Sequence, residues 1–316
     1  MARTQTVGAV ADDLFDRYLL PKVALTIILV ASLVGVGVSV RLSGRWRPLL
    51  VVAKWAQFVA LGVLAGGLLW KHGFVRPRDV EADAGEYCER MYGRFDRIAV
   101  GAAAVLAAGS AVSLPAYAER LADPVLAGLG VALAATAALV VADAARERPA
   151  AASFRSPLGL AALAAALAAV GATATAEVAL TAGPPAAVAV RSLHLLAFAA
   201  WIGGAVWNIF IAVPTGQANP TTAVVGAAGQ QLERFRWVVR FVFPTILLTG
   251  LYQAVDALGA SLGTYLGSPV GLAVLAKVGA VGTLFVVFKL CPMWRACSPI
   301  EGVCDIADGP AGEGDG

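Results

Sequence analysis

Charge is what this chain has least of. Only 14% of its 316 residues are Asp, Glu, Lys or Arg, 59% are hydrophobic, and the mean hydropathy is +0.76. An ordinary soluble domain carries about 25% charged residues, so a soluble multidomain protein is excluded and a polytopic membrane protein is expected. The net charge is only +3, and the basic residues sit in short loops with no aromatic-interleaved stripe. That excludes a nucleic-acid-binding surface. Histidine is scarce (His72 and His194), and so is methionine (Met1, Met91 and Met293). The spacing predicts that no methionine and none of the four cysteines (Cys88, Cys291, Cys297 and Cys304) falls in an apolar run. A Met- or Cys-lined path for Cu(I) across the bilayer is thereby excluded, because this soft ion prefers thiolate and thioether ligands. No enzymatic triad, nucleotide loop or HExxH motif is present. Asp12, Asp13 and Asp16 precede the first apolar run, unlike the basic start of a cleavable signal peptide, so the first span is expected to be retained.

What the chain has in abundance is apolar runs long enough to cross about 30 Å of hydrocarbon. Eight are expected, at about Leu20–Val40, Leu49–Trp70, Ile98–Tyr117, Val125–Ala145, Pro157–Leu180, Ala186–Val213, Trp237–Leu258 and Pro269–Leu290. Pro244 is expected to kink the seventh. Basic residues concentrate in alternate gaps, among them Arg76, Arg90, Arg94, Arg146, Arg155 and Arg234. The positive-inside rule then makes both termini cytoplasmic and the protein multi-pass in the cell membrane. Residues 1–150 and 151–290 form two four-helix halves, and 291–316 form an acidic, Gly-rich, Cys-containing tail expected to be disordered.

The halves echo one another. With Lys54–Pro77 placed over Arg191–Pro214, Ala60 meets Ala197, Gly66-Gly67 meet Gly203-Gly204, Trp70 meets Trp207, and Pro77 meets Pro214. Lys54 falls on Arg191 and Gln57 on His194, and Arg94-Phe95 matches Arg234-Phe235. The fold class expected is therefore all-α, eight transmembrane helices, arranged as a four-plus-four parallel duplication.

The same topology puts several polar groups at one depth. Lys54 and Gln57, His194, and Lys277 each lie on a span entering from the outside, while Glu177, Tyr252, Gln253 and Asp256 end spans arriving there. Arg191, His194, Phe198 and Trp201 share one helix face. Ionisable groups within a span mark functional sites by default, and a pocket in the outer half of the bilayer would house them all. The competing reading is interhelical glue, with Glu177 paired to Arg191. A single imidazole among several cations suits haem b, with His194 axial and Arg191, Lys54 or Lys277 near the propionates. Binding or moving copper across the cell membrane is nonetheless the preferred reading, with His194 as the outer contact and Cys291, Met293, Cys297 and Cys304 as a Cu(I) acceptor inside, and a haem-binding membrane oxidoreductase is the alternative. The cysteine spacings match no standard zinc or iron–sulfur pattern. Cys88 is expected in a loop, and His72, beside Lys71, at the membrane interface.

The segment RSLHLLAFAAWIGGAVW (Arg191–Trp207) resembles the basic-xx-His, W-x-G-G signature of the copper-resistance D family, eight-span inner-membrane proteins associated with copper uptake. LERFRWVVRFVFPTILLTGLYQA and YLGSPVGLAVLAKVGAVGT resemble that family's following two spans. The same three-span pattern is similar to the J-type protoporphyrinogen oxidases, in which the matching histidine and lysine are linked to haem. That resemblance would give these roles to His194 and Lys277. Gln57 stands where the first half would have its histidine, so at most one intact site is expected. The expected partners are the lipid bilayer, a copper ion or haem, and, if the chain is an accessory subunit, a membrane complex.

Overall fold

The computed structural model describes residues 19–44, 46–76 and 85–290, and among these it is helical throughout with no strand. The expected tail, with Cys291, Met293, Cys297 and Cys304, lies outside the described residues, as does Pro77. Eight long helices follow in order: α1 (Leu19–Leu42), α2 (Pro48–Leu69), α3 (Gly85–Tyr117), α4 (Asp123–Ala144), α5 (Pro157–Leu180), α6 (Pro185–Val206), α7 (Thr222–Leu258) and α8 (Pro269–Leu290). Each is long and apolar enough to cross a bilayer. Proline starts are frequent: α2, α5, α6 and α8 begin on Pro48, Pro157, Pro185 and Pro269. The first helical position has no intrahelical use for the N–H that proline lacks. Ser156 and Thr221 cap α5 and α7, accepting from the Gly159 and Val224 amides. α7 runs on through Pro244 and ends at Gly259, whose φ of 75° suits glycine.

Two helices extend well beyond their expected spans. α3 starts at Gly85 rather than near Ile98, and α7 at Thr222 rather than near Trp237. At 1.5 Å per residue both approach or exceed about 50 Å, more than the hydrocarbon needs. The α3 extension carries Tyr87, Cys88, Met91, Tyr92 and Phe95, all buried. Cys88 and Met91 are therefore helical core residues, not loop residues as the sequence reading has them.

The most buried spans are α2 and α6, which form the centre. α3 packs along α2 and α7 along α6; α1 flanks α2 as α5 flanks α6. α4 bridges α3 and α5, and α8 lies along α1. The central pair cross where Gly66 meets Gly203. A Cβ on Gly66 would stand 2.9 Å from the Gly203 Cα, and one on Gly203 2.6 Å from the Gly67 nitrogen. Small residues let backbones touch in this way, which is how helices associate where lipid removes the hydrophobic drive. Just past each Gly-Gly pair the helix widens into a π turn, Trp70–Phe74 in one and Trp207–Ala212 in the other. The two tryptophans then exchange partners. Trp70 packs edge-on against Phe235 of α7 at 5.8 Å, and Trp207 packs tilted against Phe95 of α3 at 5.3 Å.

Candidate functional site

Five helices bring polar side chains together at the α1–α2 and α5–α6 ends of the bundle. Glu177 of α5, 7% exposed, is the hub. Its Oε1 meets the Lys54 ammonium of α2 at 2.5 Å and accepts from Ser39 Oγ of α1 at 3.2 Å. Its Oε2 accepts from Arg191 Nε of α6 at 2.6 Å and also from Nη2. The remaining Arg191 nitrogen, Nη1, donates to Gln253 Oε1 of α7 at 2.6 Å. Lys54 also lies over the Phe58 and Tyr117 rings, at 5.4 and 5.1 Å. The pairing of Glu177 with Arg191 is as the sequence suggests, but the carboxylate serves Lys54 as well.

One turn further along α6, His194 is buried and its Nδ1 is 2.8 Å from Thr249 Oγ1 of α7. The Thr249 hydroxyl in turn donates to the Thr245 carbonyl at 2.5 Å, and the Ile246 backbone is a further hydrogen-bond partner of the ring. Partners of this kind orient metal-binding histidines. The charged groups acting on the ring are Lys277, Arg191 and Glu177.

Lys277 completes the cluster from α8. Its ammonium lies against Gly35 of α1, where an added methyl would stand 3.0 Å from Nζ. Gly35 is one turn from Ser39, so Lys277 sits about 6 Å deeper than the Glu177 carboxylate. It has no ion pair or hydrogen bond among the described residues. Gln57, 4% exposed, is tied to Ser113 of α3, whose hydroxyl donates to its Oε1 at 2.7 Å. Tyr252 does not join the cluster: it is 43% exposed, and Gln253 beside it takes the inward position. Asp256 is exposed as well. Trp201, expected on the His194 face, is buried and packs edge-on against Phe243 at 5.9 Å.

A second buried cluster, missed by the sequence reading, joins the π turn after α2 to α3, α4 and the segment that follows α4. Lys71 pairs with Asp96 of α3 at 2.7 Å and Asp143 of α4 at 3.3 Å, and Asp143 also holds Arg148 at 2.5 Å. His72, beside Lys71, is packed within the protein at 2% exposed, and its Nδ1 accepts from the Arg155 amide at 3.2 Å. The signal available was Asp96 and Asp143, acids at the edges of the expected apolar runs.

The two clusters differ in charge balance. The Lys71 cluster sets two carboxylates against Lys71 and Arg148 and is self-compensated, as buried ion pairs must be to persist. The Glu177 cluster sets one carboxylate against Lys54, Arg191 and Lys277. It carries two surplus positive charges beside a buried imidazole, a combination suited to an anionic ligand. It fits Cu(I) poorly, since a cation would enter a field of cations and find one nitrogen donor. Among the described residues no three His, Cys, Asp or Glu side chains are grouped to hold a metal ion. Comparison with family models, curated proteins and solved structures gave no match.

Proposed function

We propose that this is a multi-pass protein of the cell membrane, built by duplication of a four-helix unit like the copper-resistance D proteins, and that its His194–Lys277 cluster holds haem b in the outer half of the bilayer. The positive-inside pattern supports cytoplasmic termini. Reciprocal packing supports the duplication. Gly66 touches its counterpart Gly203, the two tryptophans trade phenylalanine partners, and Gln57 and His194 each bond the third helix of their own half.

The observation that carries the haem reading is the buried imidazole of His194 among the cations Lys277 and Arg191. His194 would hold the iron, and Lys277 and Arg191 would supply the positive charge that faces the haem carboxylates. Thr249 fixes the ring, and Glu177 keeps Arg191 and Lys54 in place. Haem would supply one-electron chemistry. Copper traffic is the second reading, favoured by the eight-span layout. Its soft donors would come from Cys291, Met293, Cys297 and Cys304, because Cys88 and Met91 belong to the far end of the bundle and Met91 accepts from Gln231.

The absorption spectrum of the purified protein tests the choice. A Soret band is expected, lost in His194→Ala and kept in Gln57→Ala. A colourless protein that takes up Cu(I) would favour the second reading instead.

A further inference from the structure

A groove of about 880 Å³ opens between α2, α3 and α6, away from the His194 cluster, none of whose residues lines it. Its walls are apolar: Val59 and Val63 of α2, Ala102 and Val105 of α3, and Phe210 of α6. No imidazole, thiol or carboxylate lines it. Arg94 and Arg97 form one end. From Arg94 to Val105 the groove follows eleven residues of α3, or about 16 Å at the helical rise. That is the depth of one leaflet, half of about 30 Å of hydrocarbon. An apolar channel one leaflet deep, capped by cations, matches the length of one phospholipid acyl chain with its phosphate at the cationic end.

Arg94 is half-buried and Arg97 exposed, and neither has an ion pair or hydrogen bond among the described residues. In the other half the residue matching Arg94 is Arg234, whose Nη1 donates to the Phe74 carbonyl closing the first π turn at 2.6 Å. The carbonyl closing the second π turn, that of Ala212, is taken by the Tyr87 hydroxyl at 2.9 Å. Arg94 is thus released from the capping task its counterpart performs, and with Arg97 it lines the groove. The counterpart of Arg97 is Trp237, so only one half carries the paired cations.

We infer that the groove binds one anionic phospholipid, with an acyl chain along α2, α3 and α6 and the phosphate at Arg94 and Arg97. Two guanidiniums without a carboxylate favour a headgroup of net negative charge over a zwitterionic one, whose ammonium they repel. Basic pockets between transmembrane helices at a membrane surface recognise anionic headgroups in this way.

The test is lipid retention by native mass spectrometry on the full chain, delipidated in detergent and offered phosphatidylglycerol or phosphatidylcholine at equal concentration. At least tenfold preferential retention of phosphatidylglycerol is expected. The preference should vanish in Arg94→Gln/Arg97→Gln and fall severalfold in Arg97→Gln alone, an exposed site where folding is not at stake. Val63→Trp, which fills the groove, should reduce retention of both lipids. Equal retention of the two lipids by the unaltered protein, or an undiminished preference in the double variant, overturns the proposal. So does displacement of phosphatidylglycerol by millimolar inorganic phosphate, which would mean that the arginines bind phosphate without the chain.

Discussion

Glu177→Ala is expected to cost about 3–5 kcal/mol of stability, the usual penalty for removing one partner of a buried ion pair. Here one carboxylate holds both Lys54, 2% exposed, and Arg191. Without it, two cations face each other across α2 and α6, with neutral Ser39 and Gln253 as the remaining polar neighbours. Thermal unfolding in detergent should show a large drop in Tm, and raising ionic strength should restore little of it, because buried charges are poorly screened. Glu177→Gln preserves the shape and should lose less. Combining Glu177→Gln with Lys54→Met should recover part of the loss, since a buried pair can often be replaced by apolar groups of similar volume. An unchanged Tm in Glu177→Ala would mean that water, not the carboxylate, solvates these cations.

Gly203→Val is expected to abolish folding of the bundle. A Cβ at Gly203 would overlap the backbone of Gly66, which no rotamer change can relieve. Overpacking a core with side chains on both sides costs about 1–3 kcal/mol. Here the obstacle is backbone at the crossing of the two most buried helices, so α2 and α6 would have to separate along their length. Gly203→Ala should already cut the yield of monodisperse protein sharply. Gly171→Ala in α5 is the control: nothing lies within 4 Å of the added methyl, and helix propensity should make it neutral or slightly stabilising. Equal behaviour of the two alanine variants on size-exclusion chromatography would refute the close crossing.

The eight spans were legible because apolar run length is a strong signal. The basic-xx-polar, Gly-Gly, Trp echo was legible because its residue types are distinctive. Which face of each helix points inward was not. In lipid, outward-facing residues are as apolar as core residues, so Leu248 at 69% exposed and Leu64 at 0% look alike in sequence. Tyr252, Gln253 and Asp256 all lie near the end of one span, and no apolar contrast separates Gln253, which turns inward, from Tyr252, which does not. The extension of α3 was readable in principle. Tyr87, Cys88, Met91, Tyr92 and Phe95 recur at helical spacing amid charged residues, the pattern of an amphipathic helix outside the hydrocarbon. Counting only unbroken apolar runs hid it, and with it the Lys71–Asp96–Asp143 cluster. The surplus positive charge around His194 could not be counted beforehand, because it depends on which cations share Glu177.

That surplus can be tested through the ligand's own charge. Purified protein should be titrated with hemin and with hemin dimethyl ester, whose carboxylates are blocked, for the unaltered chain and for Lys277→Gln. If the cluster holds haem through His194 with Lys277 receiving a propionate, the ester should bind at least tenfold more weakly than hemin. Lys277→Gln should lose most of that difference while still binding both. Equal affinity for hemin and its ester in the unaltered protein, or no saturable binding of either, would contradict the account.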